Sequence, residues 1–108
     1  MRPVTLAELV ALWEENGMSA KRAAGILSEI IGHREPATNP RYQGGESFLM
    51  KLFTPNGQHI GTVHEIVMPD GSIPHSHPKD YTLRDCSRVR GPELSQRRDL
   101  PNEPDAGD

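Results

Sequence analysis

The chain is 108 residues long, 34% hydrophobic and only 5% aromatic, with a formal net charge of −3. That length suits one domain with a modest core, and the charge excludes the broad basic field of a duplex-DNA binder. Its single cysteine, Cys86, excludes an internal disulfide and any zinc knuckle built from thiolate pairs.

The N-terminus opens with Thr5-Leu6-Ala7-Glu8, a capping box in which hydroxyl and carboxylate each satisfy an orphan amide. Leu6, Leu9, Val10 and Trp13 form one apolar stripe at helical spacing, and Gly17 ends the helix. Glu8, Glu14 and Glu15 break any signal-peptide pattern, and no apolar run approaches the ~20 residues of a membrane span. The expectation is a soluble, cytoplasmic protein without a membrane partner. Ser19 is placed to cap a second helix with the stripe Ala23, Ile26, Leu27 and Ile30, stopped by Gly32. Two helices joined by a short turn resemble a DNA-reading unit in outline. The exposed face of the second holds only Lys21, Arg22, Ser28 and Glu29, so packing on a sheet is expected instead.

Residues 33–46 carry two prolines and the Gly44-Gly45 pair and read as a long connector, with Arg41 and Tyr42 as its candidate functional side chains. Strands follow over Phe48–Thr54 and Gln58–Met68, joined by Pro55-Asn56-Gly57. A third follows Pro69-Asp70-Gly71, and a last strand is expected over roughly Tyr81–Arg90. Both Pro-Asx-Gly loops suit a type I turn closed by a left-handed glycine. The fold class is α+β: two N-terminal helices on a three- to four-stranded antiparallel meander over residues 1–91. Residues 92–108 hold three prolines and carry two arginines against five carboxylates, the whole of the net charge. They are expected to form a flexible, acidic tail.

The most informative stretch runs from Pro69 to Pro78. A strand has a side-chain period of two, so His75 and His77 share a face. Three-residue loops pair Glu65 with His75 and Val63 with His77, and Phe48 with His64. His64 then joins Phe48, Met50, Leu52, Ile60 and Ile66 under the helices, while Lys51, Glu65, His75 and His77 share the opposite face. Gly61, opposite Lys51, leaves room for a close approach. Arg84 and Arg88, on one face of the last strand, add cations. This set suits metal-free phosphodiester cleavage. His75 and Glu65 would form the acid–base pair, His77 a second imidazole, and Lys51, Arg84 and Arg88 phosphate contacts. A shorter, two-residue Asp70-Gly71 turn would instead shift the pairing by one, set His64 opposite His77 and put three histidines on one face, as a tri-His zinc site requires. His59, beside a turn, reads as exposed, and Cys86 as a packing residue with no base at an obvious spacing.

His75-Ser76-His77-Pro78 resembles the histidine pair of the JAMM/MPN metalloprotease motif, although that motif's later serine and aspartate positions hold Asp85 and Arg88. Gly71 to His77 resembles the first cupin motif, without its metal-binding glutamate or a second motif. In layout the chain is similar to small microbial ribonucleases and colicin-type toxin domains. The leading expectation is therefore a metal-independent endoribonuclease of the bacterial toxin type, needing no cofactor and acting on RNA, with a cognate immunity or inhibitor protein as partner. The alternatives are a non-catalytic binding module, and a divalent-metal protein holding zinc through His64, His75 and His77.

Overall fold

A computed structural model describes residues 1–92; the tail expected over 92–108 lies, from residue 93 on, outside the described residues. The architecture is α+β, with two helices and a six-stranded mixed sheet. The strands are β1 (Arg2–Pro3), β2 (Ser28–Pro36), β3 (Glu46–Phe53), β4 (His59–Val67), β5 (His75–Thr82) and β6 (Arg88–Arg90). Their order is β1-β6-β5-β4-β3-β2, and every neighbouring pair is antiparallel except β1 with β6.

Helix α1 (Leu6–Glu15) begins as its sequence dictates. The Glu8 amide donates to Thr5 Oγ1 at 3.1 Å, and the Thr5 amide donates to Glu8 Oε1 at 2.8 Å. Its buried side chains, Leu9 and Trp13, meet Met18 and Leu27 above one face of the sheet. Leu52, Val63, Tyr81 and Val89 rise from that face to complete the core. Gly61 sits directly beneath Trp13: a Cβ there would lie 2.7 Å from the indole and 3.1 Å from the Asp80 carbonyl oxygen. The close approach that Gly61 permits is therefore made by the protein's own tryptophan.

The second helix differs from the expected one. α2 spans only Met18–Ala23, because Gly25 takes a left-handed conformation (φ 72°) and ends it. Ile26 and Ile30, expected on its buried stripe, are exposed, and residues 28–36 form β2 against β3. An apolar spacing of three and four is common to a helix and to an irregular strand. Pairing with β3 decides between them here, aided by the β-branched Ile30-Ile31 pair. The connector is correspondingly shorter. It folds back as a strap in which Ala37 donates to the Gly45 carbonyl and Gly45 to that of Tyr42, around a 3-10 turn at Pro40–Tyr42. The expected last strand over Tyr81–Arg90 is interrupted: Tyr81 and Thr82 end β5, the third strand of the expected meander, and after a turn at Leu83–Ser87 only Arg88–Arg90 form β6.

Register separates the observed sheet from the expected one. Both Pro-Asx-Gly loops form as read: Thr54 donates to the Gln58 carbonyl, Met68 to that of Ser72, and Gly57 and Gly71 are left-handed. Beyond each turn the pairing slips by one. Leu52 pairs with Gly61 while Phe53 pairs with His59, so Ile60 is an inserted residue. Past the second turn, Ile66 pairs with His75, so Ile73 and Pro74 together oppose Val67. Pro74 has no amide hydrogen to give the ladder, and the strand absorbs it as an irregularity. A one-residue slip carries every later side chain to the other face.

Candidate metal centre

The slip sets His64 directly opposite His77 on the neighbouring strand, with His75 two residues from His77 and on the same face. All three rings are buried: His64 is 7% exposed, His75 9% and His77 3%. His75 Nε2 lies 3.2 Å from His64 Nδ1 and 2.9 Å from His77 Nδ1. One nitrogen from each ring thus enters a common space, and the three ligand atoms all lie within 4.8 Å of one another. The rings stand edge to face, with centroids 4.7–5.3 Å apart, which turns their nitrogens inward instead of stacking their faces.

Two further residues shape the cluster. Ser47 Oγ, on β3, is 2.7 Å from His64 Nε2. In the tautomer that presents a bare Nδ1 to the cluster, His64 donates its Nε2–H to this hydroxyl. Metal-binding imidazoles are commonly oriented by such a partner on the distal nitrogen. Tyr42, from the strap, is buried with its ring centroid 6.0 Å from that of His75. The strap lies close because Gly45 has no side chain: a Cβ there would fall 2.8 Å from Met68 Sδ and 3.2 Å from the Val67 carbonyl oxygen. Sequence reasoning placed Tyr42 among candidate loop residues, whereas nothing local marked Ser47, whose role follows only from its neighbour across the ladder.

The remaining candidates are dispersed. Glu65 pairs with Ser76, not His75, and emerges on the helix-covered face. There it accepts from Arg22 Nη1 at 2.8 Å and from Ser76 Oγ at 3.0 Å. The expected Glu65–His75 pair is therefore corrected by the register. Lys51, paired with Thr62, is on the histidine face but one row away, its stem against Gly32 on β2. Arg88 is also on that face; it donates to Asp80 at 2.7 Å and to Thr82 at 2.6 Å, with His59 Nδ1 3.2 Å away. Arg84 does not share a strand with Arg88. It sits in the β5–β6 turn and lines an open groove of about 380 Å³ beside Lys21, Glu15 and Tyr81.

His59, expected to be merely exposed, is half-buried. Its imidazole pKa is pushed below the ordinary value, chiefly by desolvation and then by the Arg88 charge. His33, the fifth histidine, is exposed on β2, 3.5 Å from Glu35. Among the described residues no helix is long and apolar enough to cross a membrane.

No protein-family model, curated protein or solved structure matches the chain. Its functional reading rests on this geometry.

Proposed function

We propose that this domain binds one divalent transition-metal ion, zinc by the preference of its donors, through His64 Nδ1, His75 Nε2 and His77 Nδ1. The observation that carries the reading is the convergence of these nitrogens in a buried site. A tetrahedral centre with Zn–N bonds of about 2.0–2.1 Å separates its ligand nitrogens by about 3.3–3.4 Å. The two separations given above, 3.2 and 2.9 Å, require only a slight opening to match. Hydrogen bonding serves the cluster less well, because each N···N contact needs one N–H and one lone pair. A cation accepts all three lone pairs at once. An all-imidazole set suits zinc, copper and nickel and disfavours magnesium and calcium.

Three protein ligands leave a fourth position for an exchangeable group, the pattern of catalytic zinc sites and not of closed structural ones. The metal-independent ribonuclease reading needs an acid–base pair from Glu65 and His75. With those groups on opposite faces, the same histidines support metal binding better. The test is the metal content of the purified chain after equilibration with zinc and gel filtration. One equivalent should be retained, released by EDTA, and lost in each of His64→Ala, His75→Ala and His77→Ala. Retention by all three variants contradicts the assignment.

A further inference from the structure

The donor set also fixes the charge of the centre. Ligating imidazoles are neutral, so a divalent ion among them keeps both positive charges in a site whose ligands are at most 9% exposed. An uncompensated charge in such a place is strongly unfavourable. Among the described residues, no carboxylate or thiolate joins the three histidines within ligand range. Glu65, the one buried carboxylate among them, lies on the opposite face and is held by Arg22 and Ser76. Ser47 is a neutral hydroxyl engaged with His64. None of these residues supplies the balancing negative charge.

Resting on the metal reading above, we propose that the fourth position takes a small exogenous anion with an oxygen or nitrogen donor, such as hydroxide or a short carboxylate. Its size is limited by the strap, which holds the Tyr42 ring beside His75. The centre is thus an anion-accepting site, and a substrate of this domain would present a carboxylate-class group, or a group attacked by hydroxide, to the metal. The Tyr42 phenol is the neighbouring group that could supply the charge from within the chain, so its removal belongs in the test.

The experiment uses the full chain loaded with cobalt(II), whose visible bands report the number and type of its ligands. It is titrated with sodium azide and, separately, sodium acetate. The expected result is a saturable band shift with each anion, the same in wild type and in Tyr42→Phe. Cobalt retained with bands unmoved by either anion overturns the proposal and leaves the metal reading standing. A spectrum already altered in Tyr42→Phe before any anion is added assigns the charge to the phenolate and likewise overturns it. Failure of the wild type to hold cobalt removes the metal reading itself.

Discussion

Cys86 occupies the position that glycine fills in the chain's other two hairpin turns. Leu83 donates to the Ser87 carbonyl and Cys86 to that of Leu83, repeating the bonds around Gly57 and Gly71. Cys86 is the one non-glycine residue with positive φ (71°) among the described residues. A left-handed conformation costs an L-residue about 1 kcal/mol, so Cys86→Gly should stabilise the domain by up to ~1 kcal/mol in denaturant unfolding. His59 makes a second expectation at this scale. Burial and Arg88 lower its pKa from an ordinary 6.5, so the folded state favours the neutral ring. Stability from this group is complete above pH 6.5 and is lost as pH falls below it through the folded value. A His59→Gln variant should lose less stability than wild type between pH 6.5 and 5, measured by thermal unfolding, and equal losses would contradict the account.

At the scale of elements, α2 is tied to the sheet by Arg22 as well as by its buried Met18. Arg22 donates to Glu29 at 2.8 and 2.9 Å and to Glu65 at 2.8 Å. These contacts hold the Glu29 carboxyl below its usual range and raise the guanidinium further above its own. Arg22→Ala would leave Glu65 buried with only Ser76, and should cost about 2 kcal/mol, less than a fully buried pair because Arg22 keeps some exposure. Legibility in the sequence divides at the same scale. The capping box, both Pro-Asx-Gly turns and the β-rich second half follow from local chemistry and form as read. The histidines' shared face does too, since it depends only on the His-x-His period. β2 was hidden because Ile26, Leu27, Ile30 and Gly32 fit a capped helix, and only pairing with β3 decides against it. The partner of His75 and His77 was hidden by the slip at Ile73-Pro74, and a second slip, at Ile60, hid Ser47 from the face of His64. Turn chemistry sets register only as far as the first irregularity. The alternative with His64 opposite His77 was visible, yet it arises from the proline irregularity and not from a shorter turn.

For the molecule as a whole, the sheet divides labour between its faces. One carries the core under α1, and the other carries the three buried histidines beneath the strap. A core of this size confers limited stability on its own, so an ion bound only by the folded state should stabilise it visibly. At a free zinc concentration one hundred times the dissociation constant, the gain is about 2.7 kcal/mol. At about 4–8 °C per kcal/mol for a domain of this size, the midpoint should rise by roughly 10–20 °C. The most direct measurement is thermal unfolding of the chelator-treated chain during a zinc titration, beside a His64→Ala/His77→Ala double variant. The account expects a rise of that order at that free zinc concentration, growing with the logarithm of free zinc, reversed by EDTA and absent from the variant. An unchanged midpoint in wild type, or the same rise in the variant, would contradict it.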